Sequence, residues 1–292
     1  MASFAEPTAP SRAPGFTAAA MVAPASFVVT IGIVLPIVIL LRYSLNQFTP
    51  AKIMVDAFTI ENYTRFFTDS FYLAVLFRTI RVAALCTVIC VVLAFPMAYC
   101  LARTRSRFKN LLLMAVILPL FVGNAVRAAG WMVLFGNRGF VNSILMGSGV
   151  TREPLQIMYT EFAVIVGVIA VNLPFVVLTL QAVLEGIDRA IEEAALGMGA
   201  GPWQTFRRVI LPLAMPGVIA GTILSFILAM NAYATPVLLG GPTFQMMGPT
   251  VYNQFAGLSN WPFGAALSFV LMTATLLLTV TSNWVAQRRY QR

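Results

Sequence analysis

Residues 162–212 read FAVIVGVIAVNLPFVVLTLQAVL from Phe162 to Leu184, then EGIDRAIEEAALGMGAGPWQTFRRVILP from Glu185 to Pro212. The first part is 23 residues without a charge. That is enough for a helix rising ~1.5 Å per residue to cross a hydrocarbon layer of ~30 Å. The second part changes character at once. It carries acidic and basic side chains, alternating glycines at 197, 199 and 201, and prolines at 202 and 212. A membrane span followed by a structured polar loop is the unit from which the rest of the chain is read.

The bulk composition agrees with that unit. Of 292 residues, 59% are hydrophobic and 10% are charged, against roughly 25% charged in soluble domains. Mean hydropathy is +0.85. The length fits one integral membrane domain and leaves no room for a large soluble one. Nineteen Lys and Arg stand against ten Asp and Glu, a net charge of +9. Such a balance also occurs in nucleic-acid binders, but here the basic residues gather at the ends of apolar runs, as membrane orientation requires. No nucleic-acid partner is expected. The chain has no histidine, and Cys86, Cys90 and Cys100 fall in one apolar run without paired spacing. They read as small packing residues and not as metal ligands. No nucleophile–base set appears, so no enzyme activity is expected.

Six runs reach spanning length: Met21–Leu41, Val82–Ala102, Leu111–Phe135, Phe162–Leu184, Leu213–Leu239 and Phe263–Val285. Residues 1–20, rich in Ala and Pro, read as a flexible tail. The run after them is longer than the ~7–15 residues of a signal-peptide core and lacks a following cleavage site, so it is read as a retained span. Eleven basic residues fall on one side: Arg12, Arg103, Arg105, Arg107, Lys109, Arg189, Arg207, Arg208, Arg288, Arg289 and Arg292. Seven fall on the other: Arg42, Lys52, Arg65, Arg78, Arg81, Arg138 and Arg152. The excess in the short loops places both termini in the cytoplasm. Pro36, Pro96, Pro119, Pro174, Pro216 and Pro236 lie in the spans, which suits bent helices around a cavity. The outer segment from Ser44 to Arg81 mixes Phe48, Phe58, Tyr63, Phe66, Phe67, Phe71 and Tyr72 with charges, as an amphipathic interfacial helix does. The expectation is an all-α integral membrane protein of six transmembrane helices.

Between spans four and five, Asp188 is placed to cap a helix, with Glu192 and Glu193 near its positive end. Ala190, Ala194 and Ala195 keep that helix thin. Gly197, Gly199 and Gly201 break it, and Pro202 opens a second helix running to Ile210 and stopped or kinked at Pro212. Two short helices joined by a glycine elbow, thin enough for another backbone to come close, make a docking element.

The loop resembles the EAA motif of permeases in type I ABC importers. The motif runs Glu-Ala-Ala, three residues, Gly, nine residues, Ile, one residue, Leu-Pro. Here it is Glu193-Ala194-Ala195, Gly199, Val209 in place of Ile, and Leu211-Pro212. The resemblance implies the MetI-like permease fold, with residues 185–212 as a coupling-helix loop docked on an ATPase. It puts Glu193, Ala194, Ala195, Gly199, Leu211 and Pro212, with Arg207 and Arg208, at that contact. The chain has no Gly-x-x-x-x-Gly-Lys-Ser/Thr phosphate loop, so ATP and Mg²⁺ would be bound by the partner and no cofactor by this chain. From about Phe77 onward the sequence is also similar to spermidine/putrescine permeases of the PotB type. The segments concerned are Arg78-Thr79, Ala94 to Tyr99, Leu118-Pro119-Leu120, Val126 to Met132, Gly139 to Asn142, Leu239 to Pro242 and Asn260-Trp261-Pro262. The resemblance implies a bacterial inner-membrane, multi-pass location. It also implies a cytoplasmic ATPase dimer, a second, related permease and a periplasmic substrate-binding protein as partners, all around a path for polyamines. Relatives of the same look import other organic cations, opine-like compounds or ferric iron.

No acidic residue lies inside a span. Candidate path-lining residues are Asn124, Asn172, Asn231, Tyr233 and Trp131, which could pass an ammonium between amide oxygens and aromatic faces. Asn serves equally well in interhelical hydrogen bonds. Arg127, near the outer end of the third span, has two readings. It snorkels to the interface, or it holds an outer gate by pairing with Glu153, Glu161 or the binding protein. A secondary transporter would show in-membrane carboxylates or inverted repeats, and the sequence shows neither.

Overall fold

The computed structural model describes residues 15–50 and 52–290. The chain is helical. Its first helix, α1, spans Gly15–Ser44. It starts six residues before the expected span, so residues 15–20 are helix and not tail, and the rest of the expected tail lies outside the described residues. Residues 22–39 of α1 are exposed, and α1 packs on the last helix, α12, Trp261–Tyr290. An apolar helix left bare in this way is a lipid-facing or subunit-facing element.

After α1 the chain turns through a single bridge between Gln47 and Val55 into α2, Glu61–Thr68. Buried Asn62 ties the segment down by donating to the carbonyls of Ser44 and Asn46, both at 2.8 Å. Phe66 of α2 is fully buried, while Phe67 stays exposed. The outer aromatics thus divide between core and surface.

Helix α3, Ser70–Arg103, is 34 residues long, starting 12 residues before the sequence suggested. Asp69 caps it, its carboxylate accepting from the Phe71 amide at 2.9 Å. Arg78 and Arg81 therefore belong to the outer end of this helix and not to a loop. Pro96 lies within it without ending it.

The third expected span is broken. Helix α4, Lys109–Ile117, tightens into a 3₁₀ turn, Leu118–Phe121, and helix α5 begins at Asn124 and ends at Phe135. The two halves meet at 99°. Pro119 has no N–H to continue the ladder, and Gly123 adopts φ −57, ψ 146, outside the helical region. Hydropathy alone cannot detect this, because the break costs no apolar residue. Helix α6, Phe140–Gly147, follows.

Helix α7, Glu161–Glu185, runs 25 residues through Pro174. Helices α8, Arg189–Gly197, and α9, Pro202–Thr205, form the loop. Helix α10, Leu211–Met230, follows. It ends at Met230, nine residues before the expected end of span five, and a wide turn at Pro236–Gly240 leads to α11, Met247–Tyr252. Among the described residues there are therefore five helices of spanning length, and six spans when the bent pair Lys109–Phe121 and Asn124–Gly147 is counted as one.

Helices α3, α7 and α10 pack against one another to form the centre. At the end away from the 185–212 loop the core gathers Val75, Val82, Val164, Leu239 and Phe263. Toward that loop it gathers Cys90, Ala94, Val176, Leu180, Leu184 and Ile210. Small residues set the closeness of α7 and α10. A Cβ on Gly217 would lie 2.9 Å from Val183 Cβ, and one on Gly221 would lie 3.1 Å from Val176 Cγ1.

Candidate functional site

The first half of the polar loop folds as the sequence suggests, and its second half does not. The Asp188 carboxylate accepts from the Ala190 amide at 3.0 Å and starts α8. At the other end Met198, Gly199 and Ala200 close the helix. The Gly199 amide donates to Leu196 O at 3.0 Å and the Ala200 amide to Ala195 O at 3.1 Å, with Gly199 at φ +84. This is the Schellman arrangement, which places a left-handed residue just past the helix. The Gly of the motif is thus fixed by backbone conformation. A Cβ there would meet nothing within 4 Å.

Pro202 opens α9, and the chain then passes directly into α10 through a wide turn over Phe206–Ile210, with the Leu211 amide bonded to Phe206 O. The second helix is therefore neither stopped nor kinked off at Pro212. The widened i→i+5 turn takes up the missing Pro212 donor and lets the helix enter the membrane unbroken.

The loop is seated on the bundle by Ala195, Thr205 and Ile210, all buried, and by Phe206 stacking edge-on against Phe95 with ring centroids 5.3 Å apart. Its other face is open. Glu193, Ala194, Gly199, Arg207, Arg208 and Pro212 are exposed and Leu211 is half-buried. Glu193, Arg207 and Arg208 make no ion pair within the described chain, whose salt bridges all involve other residues. Beside them stand two large apolar side chains that the sequence reading did not single out, Met198 at 83% exposure and Trp203 at 70%. Met198 lies within the glycine elbow and Trp203 just after it, so both side chains sit where the chain turns. Apolar anchors among unpaired charges are what a protein-docking surface presents.

A second feature was invisible in the sequence. Arg103, the last residue of α3, pairs with Glu192 on α8, and each side chain is 13% exposed. Arg103 Nη1 also donates to Leu184 O at 3.0 Å and Ile187 O at 3.1 Å. The Tyr99 hydroxyl donates to the second Glu192 oxygen at 3.0 Å. The Arg189 guanidinium in turn donates to the Arg103 carbonyl. Lys109 pairs with Glu185 at 2.6 Å close by. In the sequence Arg103 counts only as one more cytoplasmic charge, and nothing local marks its partner 89 residues away.

The six path candidates do not converge. Asn124 and Arg127 bond to each other at the start of α5, and Trp131, half-buried, packs on Phe135 one turn later at 5.0 Å. Glu161, one suggested partner for Arg127, pairs instead with Arg81. Asn172 is buried and donates to Ser225 O at 3.2 Å, joining α7 to α10. Its geometry is the interhelical bond. Asn231 and Tyr233 do share a space. They line a cavity of about 600 Å³ between the end of α10, α11 and α12, together with Tyr252, Ser268 and Thr275. The Tyr233 and Tyr252 rings lie 4.6 Å apart.

A bundle of apolar helices of spanning length, with a seated polar loop that is charged and apolar on its free face, defines a polytopic membrane protein with an exposed surface of the docking type. Residues 70–290 match the family described as the binding-protein-dependent transport system inner membrane component, and the chain belongs to that family. It is 37% identical over 238 residues to the spermidine/putrescine transport system permease protein PotB of Escherichia coli (strain K12), covering 82% of this chain and 86% of that protein. It is 35% identical over 236 residues to PotB of Haemophilus influenzae, covering 80% and 82%. In shape it is similar to a chain in the crystal structure of a bacterial alginate ABC transporter in complex with an alginate pentasaccharide-bound periplasmic protein. That match has a TM-score of 0.75 over 94% of this chain and 95% of the other, at 17% identity. The fold is therefore the ABC importer permease fold, and the chain is a multi-pass inner-membrane transport component and not an enzyme.

Proposed function

We propose that this chain is one of two permease subunits forming the path for spermidine, putrescine or a closely related small organic cation. On this reading a periplasmic binding protein delivers the substrate and a cytoplasmic ATPase dimer drives the cycle. The observation that carries the substrate class is the extent of likeness to PotB, which runs over four-fifths of both chains. The observation that supports the drive is the loop surface built by Glu193, Gly199, Met198, Trp203, Arg207 and Arg208. Its burial pattern leaves it free to dock. Both termini are placed in the cytoplasm by the Lys/Arg distribution. ATP and Mg²⁺ are bound by the ATPase and not by this chain.

ATP can drive the cycle only if it binds one conformation of the ATPase pair better than the other. The docking loop then passes that preference to the helices. Asn231, Tyr233 and Tyr252 supply amide and aromatic surfaces at their cavity, which suit an ammonium without a carboxylate. Selection among cations rests with the binding protein.

The test is reconstitution in liposomes of this chain with its second permease, ATPase and binding protein. Spermidine uptake should depend on ATP, and Glu193→Lys should leave the chain inserted while reducing uptake at least tenfold. Uptake without the ATPase, or substrate-stimulated hydrolysis unchanged in Glu193→Lys, would overturn the docking role. A binding protein stabilised thermally by another solute and not by polyamines would overturn the substrate class.

A further inference from the structure

The loop's docked face faces outward, but displacing it has no effect unless something carries the movement into the bundle. The direct continuations are α7 on one side and α10 on the other. The side-chain network at Arg103 adds a third, which chain connectivity does not supply. Arg103 grips the Leu184 carbonyl at the end of α7, the Ile187 carbonyl just past it and the carboxylate of Glu192 with one guanidinium. Tyr99, one turn earlier on α3, holds the same carboxylate. Arg189, the first residue of α8, bonds back to the α3 terminus. The start of α8 is thus fastened to the end of α3 in both directions, through groups largely withdrawn from water. A pair so enclosed does not exchange freely with solvent, and breaking it strands a charge.

Helix α3 then runs about 50 Å, from 34 residues at ~1.5 Å each, and its outer end is fastened too. Thr79 Oγ1 accepts from the Met247 amide at 2.8 Å, Arg78 donates to Gln245 O at 3.3 Å, and Arg81 pairs with Glu161. The Arg78 guanidinium also lies over the Phe244 ring, 5.3 Å from its centre. The segment it holds, 244–247, runs into α11, whose Gly248, Val251 and Tyr252 line the cavity.

We propose that Arg103 and Glu192 are positioning residues that make α3 a connecting rod, carrying displacement of the docking helix α8 to the outer segment 244–247. The proposal rests on the reading of α8 as the ATPase-docking helix. It predicts that cutting the link at its inner end separates hydrolysis from transport without releasing the ATPase.

The complete reconstituted complex tests this with three readouts: ATPase co-purification, ATP turnover, and substrate moved per ATP. Glu192→Ala should leave co-purification unchanged and lower substrate moved per ATP at least tenfold. A covalent replacement should restore the ratio to at least half. It is made by Arg103→Cys with Glu192→Cys in a Cys100→Ser background, joined by a short bis-maleimide. A merely structural pair would not regain transport from a bond that restores neither charge nor hydrogen bonding. An unchanged ratio in Glu192→Ala, or no recovery on cross-linking, overturns the proposal. So does loss of ATPase co-purification in Glu192→Ala, which would place the residue in docking itself. If the wild-type complex retains no ATPase, the docking reading fails instead, independently of this pair.

Discussion

Two adjacent glutamates on α8 show how closely a residue's task depends on the direction it faces. Glu193 is exposed and unpaired, and Glu192 is drawn in against Arg103. On an α-helix neighbours differ by about 100°, so one can serve a partner and the next can serve the bundle. Gly199 works through its backbone. At φ +84 it closes α8, with open space where a Cβ would go. A β-branched residue there carries a left-handed penalty of roughly 1–2 kcal/mol. Gly199→Val should therefore loosen the elbow at which Met198 and Trp203 sit. The expected result is at least a fivefold weaker association of the ATPase with the detergent-solubilised permease, measured by titration, with Gly199→Asn milder because Asn tolerates that region. Equal association for the Val variant would remove the elbow from the docking account. The sequence made the glycine legible. The opposite orientations of Glu192 and Glu193 were not, because orientation follows from which helix α8 is seated on.

At the scale of elements, the seam between α7 and α10 depends on what is missing from it. Gly217, Gly221 and Ser225 recur every four residues along one side of α10 and are buried, and Val183 and Val176 fill the space a Cβ would need. Small residues at this spacing let helices approach where no hydrophobic force separates protein from lipid. Gly221→Leu forces Val176 aside, with an overpacking cost of roughly 1–3 kcal/mol. Its thermal unfolding midpoint in detergent should fall by several degrees, while an exposed control such as Leu276→Ala should barely move it. A Gly221→Leu variant as stable as the parent would show the seam to be looser than described. The break in span three belongs to this scale as well. The prolines at 96, 174 and 216 sit inside continuous helices, whereas Pro119 coincides with a 3₁₀ turn and a 99° bend. The difference is that Gly123 follows Pro119 and supplies a second interruption within the same turn.

For the whole molecule, the arrangement stands or falls with its orientation. Every arginine and lysine of the Arg103 network and of the free loop face must lie on the ATPase side. A reporter that fluoresces only in the cytoplasm, fused after Arg292, should be bright, and alkaline phosphatase fused there should be inactive. Phosphatase inserted near Val150, between α6 and α7, should be active. The opposite pattern would place the docking loop outside the cell and end the reading of it as an ATPase contact. Helix α1, bare from 22 to 39, leaves a broad apolar face for lipid or a second permease.

By itself the sequence made legible the solvent of this protein, most of its apolar runs, the charge asymmetry of its loops and the capped, glycine-broken loop between α7 and α10. Each of these follows from local composition and fixed spacing: runs of apolar residues against a hydrocarbon layer, arginines in short loops, and a cap and a left-handed glycine at set distances. What only the tertiary structure decided is which distant side chains meet. The division of the path candidates among three places and the fastening of α8 to α3 through Arg103 and Glu192 depend on helix packing. Packing is set by the fit of surfaces many residues apart, and no local pattern records it.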